Sequence, residues 1–268
     1  MRDKVSIIIP TFNEERNIGR LLVSIKIQTY KNIEVIVVDD ESTDKTVEIA
    51  KRYNAKVYSR KHSERSAQRN FGAEKSDGEF VFFIDADMEL SKRVIEDALG
   101  TIDSGKYKLL VIPEKTVGNN FIAKVRAFER EMYMGDLTIE VARFFDKKVF
   151  YEFGGYDLDL TGPEDYDLPY RISKKYKIGR SHEYILHHEE SATLARLLKR
   201  KYYYAREGAK YAKKHPELIF SQGNLLFRAA YLRSWKKFIL KPFIGISFIF
   251  VRILETLWAL AGYVSSFI

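Results

Sequence analysis

Over the first 113 residues, short continuous apolar runs alternate with helical spacings. VSIIIP at 5–10, IEVIVVD at 33–39, 55–59, EFVFFID at 79–85 and 108–113 predict five strands, each rich in β-branched or aromatic residues. Between them, 13–28 places Ile18, Leu21, Leu22 and Ile25 on one helical face. Helices are also expected over 42–54, with Ser42 or Thr43 as N-cap, and over 67–75 and 92–104. Strand and helix alternating at intervals of about 20–25 residues predict an α/β fold with a mostly parallel sheet flanked by helices. The strands are apolar throughout rather than alternating, as in a sheet covered on both faces. Ligands of such sheets bind at the carboxyl ends of the strands. The residues there are Pro10, Thr11, Asn13 and Glu14, then Asp39 and Asp40, then Asp85 and Asp87.

Beyond 113 the pattern changes. An amphipathic helix is expected over 121–134, and a loop-rich stretch over 143–167 with Gly154, Gly155, Gly162 and Pro163. A basic, Tyr-rich helix follows over 194–214, and from Phe238 the chain is strongly apolar. The 268 residues allow one large domain or two small ones, and the 46% hydrophobic content excludes a disordered chain. The absence of Cys excludes disulfide scaffolds, thiolate metal sites and Cys nucleophiles. The net charge of +8 is uneven: 196–268 holds 14 Lys/Arg against three Glu, so the body before it is mildly acidic and the tail strongly basic. Such a tail suits a polyanionic partner, a nucleic acid or an anionic membrane surface. The apolar run at 5–10 is too short for a signal peptide, so the catalytic part is expected in the cytoplasm.

Four acidic or basic clusters carry candidate chemistry. Asp85-Ala86-Asp87 follows a buried strand, where two carboxylates can share Mg²⁺ or Mn²⁺ with substrate phosphates; a solvated turn is the alternative. Asp39-Asp40 can accept hydrogen bonds from a nucleobase or ribose, or belong to an N-cap group with Ser42 and Asp44. Glu164, Asp165 and Asp167 can supply a general base or an acidic helix start. His187 and His188 point to opposite sides of an extended chain, so one can face a metal or phosphate; a surface pair is the alternative. The first strand is followed by PTFNEE rather than a Gly-rich dinucleotide or Walker loop, which argues against a dehydrogenase or a P-loop phosphotransferase.

Taken in order, VSIIIPTFNEERNI, EVIVVDDESTDKT, Arg69-Asn70-x-Gly72, FFIDAD and GGYD…GPEDYDL resemble the inverting glycosyltransferases of family 2, which have the nucleotide-sugar-binding GT-A fold. The resemblance runs from about Val5 to His188. It implies that Thr11, Asn13 and Glu14 lie around the nucleobase and ribose and that Asp40 also holds the nucleotide. It further implies that Arg69 positions the nucleotide or its phosphates, and that Asp85 and Asp87 form the metal motif, Asp87 the more direct ligand. Asp165 would be the catalytic base, supported by Glu164, and His187 would stand near the metal or diphosphate. Glu41 is a departure, since relatives often have Gly there; Glu is tolerated at modest cost if its φ is negative. Arg143-Phe144-Phe145 also resembles family members and would line the acceptor or sugar pocket, unless the two Phe pack in the core.

In the tail, Tyr202, Tyr203, Tyr204 and Tyr211 among Lys and Arg fit nucleic-acid stacking or a membrane interface. The apolar stretches that follow favour the membrane. Arg252 and Glu255 split them, so two interfacial or re-entrant helices, which can form a hairpin, are expected. A single span requires Arg252 and Glu255 to pair at i,i+3, and packing on the protein's own body is the alternative. The expected organisation is a GT-A domain over 1–195 and a membrane-associating tail over 196–268, at the cytoplasmic face of the cell membrane. The expected partners are a nucleoside-diphosphate sugar, a divalent cation (Mn²⁺ or Mg²⁺) and a lipid-linked or saccharide acceptor, and no nucleic acid. A sugar nucleotidyltransferase, or a non-catalytic nucleic-acid or membrane binder, is the alternative.

Overall fold

The structure is a computed structural model and describes residues 3–61, 64–137, 139–218 and 228–267. Residues 219–227 and 268 of the expected tail lie outside the described residues. The chain packs as two compact units. The first comprises Met1–Glu114, Val141–Leu158 and Glu164–His187; the second comprises Lys115–Glu140, Asp159–Pro163 and His188–Ile268. These boundaries differ from the 1–195 and 196–268 division. The cause is packing: Val125, Phe128 and Met132 of the helix Phe121–Tyr133 share one apolar cluster with Leu197, Tyr231, Phe248 and Val251.

The first unit holds a seven-stranded sheet in the order Lys56–Ser59, Ile33–Asp39, Val5–Thr11, Phe80–Phe83, Ala142–Asp146, Leu109–Val111, Ile178–Arg180. The first four strands are parallel. Ala142–Asp146 runs antiparallel between Phe80–Phe83 and Leu109–Val111, and Ile178–Arg180 is parallel to the latter. The stretch expected to be loop-rich therefore contains a central strand, followed by the helix Lys147–Glu152. Its three apolar residues are too few to show a period, and the flanking glycines dominate the local pattern.

Both faces of the sheet are buried, as the continuous apolar strands require. Ile7, Ile9, Phe82 and Phe144 pack on one side with Ile18, Leu21 and Val94. Ile8, Val81, Phe83 and Phe145 pack on the other with Phe150, Tyr156 and Leu168. Phe144 and Phe145 are thus core residues rather than pocket walls. Gly72, in the helix Arg65–Glu74, explains its own place in the Arg69-Asn70-x-Gly72 motif: a Cβ there would stand 2.4 Å from Ile8 Cγ2.

The helix expected from 42 begins at Thr46, with Lys45 as its N-cap residue. Neither Ser42 nor Thr43 is the N-cap residue: Asn13 N donates to Ser42 Oγ at 2.8 Å, while Asp44 serves both sides, its Oδ1 accepting from Thr46 N at the helix start at 2.9 Å and its Oδ2 from Glu15 N at 3.1 Å. Glu41 sits at φ +61°, so the condition of a negative φ is not met and the residue carries left-handed strain.

The second unit is helical: Phe121–Tyr133, Leu194–Lys214, Ala229–Arg233, Trp235–Leu240 and Pro242–Ser265. The two apolar segments expected at the C-terminus form one 24-residue helix, not a hairpin. The interruption is neutralised locally. Arg252 Nη1 donates to Glu255 Oε2 at 2.6 Å, the i,i+3 pair a single helix requires, and Arg252 also pairs with Glu129.

Candidate active site

The parallel strands bring three loops to one edge of the sheet, because their carboxyl ends point the same way. Thr11 lies opposite Asp39 in register, with Pro10 opposite Val38. Thr11 Oγ1 donates to Asp39 Oδ1 at 3.3 Å, and the buried Asp40 donates its N–H to Thr11 O at 2.9 Å. Asn13, at φ +54°, accepts from Thr43 N at 2.9 Å. Glu14 N donates to Thr46 Oγ1 at 2.7 Å, and Glu14 Oε2 accepts from Asn17 Nδ2 at 2.7 Å. Burial, and then the charges of Asp87 and Asp85, raise the Glu14 carboxyl above its ordinary value against the Asn17 hydrogen bond. Pro10, Thr11, Asn13, Glu14 and Asp40 therefore form one hydrogen-bonded rim.

Beside that rim, acids and bases alternate in a continuous chain. Arg69, fully buried on the helix Arg65–Glu74, donates from Nη1 to Asp165 Oδ1 at 2.6 Å and to Glu164 Oε1 at 3.3 Å. Its Nη2 donates to Asp85 Oδ1 at 3.1 Å. Arg143 Nη1 donates to Asp85 Oδ2 at 3.3 Å, and Arg143 Nε to Glu114 Oε1 at 2.8 Å. Glu114 Oε2 lies 3.2 Å from His187 Nδ1, and His187 Nε2 lies 3.3 Å from Asp87 Oδ2. The last contact follows from strand pairing, since His187 is opposite Met88 in the antiparallel pair Met88–Leu90 with Ile185–His188.

The order of charges sets the electrostatics. Burial opposes ionisation of Asp85, but Arg143 and Arg69 outweigh it and hold that carboxyl well below the usual carboxylate range. Glu164 is pushed the other way: burial, then the Asp165 charge, raise its carboxyl to about 7. Arg69 exposes no surface, and its guanidinium is engaged by the carboxylates of Asp85, Glu164 and Asp165.

The other motif residues hold this chain in place. Asn70 Nδ2 donates to Tyr156 O at 2.8 Å while Tyr156 N donates to Asn70 Oδ1 at 2.9 Å, which clamps the Gly-Gly-Tyr turn to the Arg69 helix. Gly155 at φ +68° leaves no room for a side chain, since a Cβ would stand 2.8 Å from Asn70 Oδ1. Asp167, expected as a helix cap, instead accepts from Arg171 Nε at 2.7 Å, and Arg171 Nη2 donates to Gly155 O at 2.8 Å. His188 Nδ1 lies 3.0 Å from Glu190 Oε1. Glu114 escaped the sequence reading; its only local signal is a carboxylate just past a strand, and its partners are 29 and 73 residues away.

Asp87 Oδ1 is buried with no hydrogen-bond partner, the state of an oxygen that awaits a ligand. Both Asp85 oxygens are already engaged by guanidinium groups. No three His, Asp or Glu side chains converge into a cage among the described residues. The residues fit a cation held by Asp87, with His187 beside it and oxygens of a ligand completing the shell.

Residues 6–156 match the family model described as Glycosyl transferase family 2. The chain belongs to that family. Among curated relatives it is 37% identical over 123 residues to poly(ribitol-phosphate) beta-N-acetylglucosaminyltransferase TarS of Staphylococcus aureus strain Mu50, covering 42% of this chain and 21% of the relative. It is 37% identical over 165 residues to TarP of the same species (strain N315), an enzyme of the same description, covering 54% of this chain and 50% of the relative. The chain thus spans about a fifth to a half of the length of these relatives. Among solved structures, S. aureus TarS 1–349 in complex with UDP-GlcNAc superposes with a TM-score of 0.59 at 22% identity, over 98% of this chain and 89% of that one. The mannosyltransferase PcManGT of Pyrobaculum calidifontis in complex with GDP-Man and Mn²⁺ gives 0.62 at 19% identity, over 99% and 75%. The fold of this family 2 chain is therefore the GT-A-type α/β architecture, with a mostly parallel sheet.

Proposed function

We propose that this chain transfers a sugar from a nucleoside-diphosphate sugar to an acceptor hydroxyl with inversion at the anomeric carbon. The observation that carries the reading is the single guanidinium of Arg69 joining Asp165 to Asp85 of the Asp-x-Asp motif. A base for the acceptor and a carboxylate for the donor are then held at a fixed spacing before any substrate arrives. Thr11, Asn13, Glu14 and Asp40 are assigned to the nucleobase and ribose, as the rim they form would allow. Among solved relatives, TarS is in complex with UDP-GlcNAc and PcManGT with GDP-Man and Mn²⁺, which supports a nucleotide sugar as the donor class.

The chemistry assigned to the chain's own residues is one in-line displacement. Asp165 takes the proton of the acceptor hydroxyl as its oxygen forms the new bond to the anomeric carbon. The bond from that carbon to the diphosphate breaks on the opposite face, and the electron pair leaves with the nucleoside diphosphate. Glu164 lies beside Asp165 under the same guanidinium and sets the local charge. Mn²⁺ or Mg²⁺ held by Asp87 and His187 would supply neutralisation of the leaving diphosphate. An α-linked donor then gives a β-linked product without a protein nucleophile.

The acceptor is proposed to be lipid-linked or a saccharide near a membrane, with the chain at the cytoplasmic face of the cell membrane. What supports this is the basic, apolar C-terminal region and a helix long and apolar enough to cross a bilayer. In functional terms 1–195 is assigned to catalysis and 196–268 to the membrane. Titration calorimetry of nucleoside diphosphates and their sugars, with and without Mn²⁺, tests the donor assignment. The expected result is Mn²⁺-dependent binding of one nucleoside diphosphate and its sugar. Binding of a nucleoside triphosphate with pyrophosphate release would overturn it.

A further inference from the structure

The helix Pro242–Ser265 is amphipathic in the wrong sense for water. Its charged residues, Arg252 and Glu255, face inward with Gly245, Phe248, Val251 and Gly262. Its outward stripe is Phe243, Ile246, Ile249, Phe250, Ile253, Leu257, Leu260 and Val264, all exposed and none polar. Leu232, Trp235, Ile239 and Leu240 extend the same kind of surface over the two preceding short helices. An apolar face of this extent is out of place in a monomer in water.

Length alone would let the helix span a bilayer: 24 residues at about 1.5 Å each reach about 36 Å. Its inner face forbids that. Glu255 lies 3.9 Å from Lys201 Nζ, and Arg252 pairs with Glu129 on the helix Phe121–Tyr133. A Cβ on Gly262 would stand 2.2 Å from Tyr202 O, so the helix lies directly against the backbone of Leu194–Lys214. That partner helix exposes Arg196, Lys199, Arg200, Arg206, Lys210, Lys213 and Lys214. A transmembrane placement would either carry those cations into hydrocarbon or strip Arg252 and Glu255 of their partners.

We propose that the second unit docks on an anionic lipid bilayer with Pro242–Ser265 lying in the membrane plane, its Phe243-to-Val264 stripe immersed and the cations of Leu194–Lys214 among the headgroups. This placement rests on the proposed membrane association and adds its geometry. Charge complementarity selects the occupant, because the region from 196 on holds 14 Lys/Arg against three Glu, which suits anionic lipid. Trp258 stands with Lys199 and Tyr202 around one groove of about 370 Å³, the aromatic-plus-basic composition of a headgroup boundary. Inward charge and outward hydrocarbon are the arrangement of an interfacial helix bound to its own protein body.

The chain has two Trp, at 235 and 258, 55% and 43% exposed, so fluorescence reads this surface directly. In the full chain carrying Trp235→Phe, vesicles with phosphatidylglycerol should shift Trp258 emission to the blue, and phosphatidylcholine vesicles should do so less. Lipids brominated near the headgroup should quench Trp258 more than lipids brominated near the chain ends. The double variant Ile246→Asp/Phe250→Asp should weaken vesicle binding about tenfold or more with an unchanged melting temperature. Strongest quenching by deep bromines would overturn the in-plane geometry while leaving membrane association intact. No vesicle binding, or a dimer in solution that buries the stripe, would overturn both. Donor binding is read separately by calorimetry, so neither outcome bears on the catalytic assignment.

Discussion

Arg69 Nη1 donates to Asp165 Oδ1 at 2.6 Å, across 96 residues of sequence, from a position with no exposed surface. The same guanidinium reaches Glu164 and Asp85, so one buried cation balances three carboxylates. Removing it leaves buried negative charge without a counter-ion, a change that costs about 3–5 kcal/mol. Arg69→Met should therefore lower unfolding stability by about that amount in urea titrations. Arg69→Lys keeps the charge but not the fork and should cost less. A Met variant within about 1 kcal/mol of the native protein would contradict the balance described.

Glu164 provides a pH test. Its folded-state value of about 7 lies above the ordinary 4.5, so the folded protein holds this proton more tightly than the unfolded chain. The stability contribution is fully present below 4.5 and is lost as pH rises through about 7. Glu164→Gln mimics the protonated form, so its melting temperature should exceed the native one above pH 7 and match it below pH 4.5. The expected gain at high pH is about 3 kcal/mol. A variant with the same advantage at both ends of the range would contradict the assignment.

At Glu41 the expected change is stabilising. A side chain at φ +61° costs about 1–2 kcal/mol, and glycine adds back about 0.5–1 kcal/mol of chain entropy. Glu41→Gly should raise stability by about 0.5 kcal/mol, measurable as a small upward shift in thermal melting. A fall would mean that Glu41 contacts outweigh the strain.

Much of this fold could be read from residue pattern, and the exceptions have physical causes. Ile33–Asp39 and Leu194–Lys214 were predicted to the residue, the first as an unbroken apolar run and the second as a long basic amphipathic helix. Ala142–Asp146 was not, because a short strand buried between two others has no period of its own. The helix starts at Thr46 rather than near 42, because Ser42 accepts from the loop at Asn13 and it is Asp44 that accepts from the first helical N–H. At the C-terminus, Arg252 and Glu255 broke the apolar pattern in the sequence, yet their mutual pairing lets one helix run through. Of the charged chain beside the strand ends, Asp85, Asp87, Asp165 and His187 could be named from motif order. Glu114 and the bridging position of Arg69 could not, since both depend on strands and helices far apart in sequence.

The most direct test of the catalytic reading is Asp165→Asn, compared with the native chain for donor binding by calorimetry and for donor turnover by release of nucleoside diphosphate. Loss of a general base predicts turnover lower by about 10²–10⁴-fold with donor affinity retained. Native turnover in the Asn variant would contradict the assignment of Asp165 as the base.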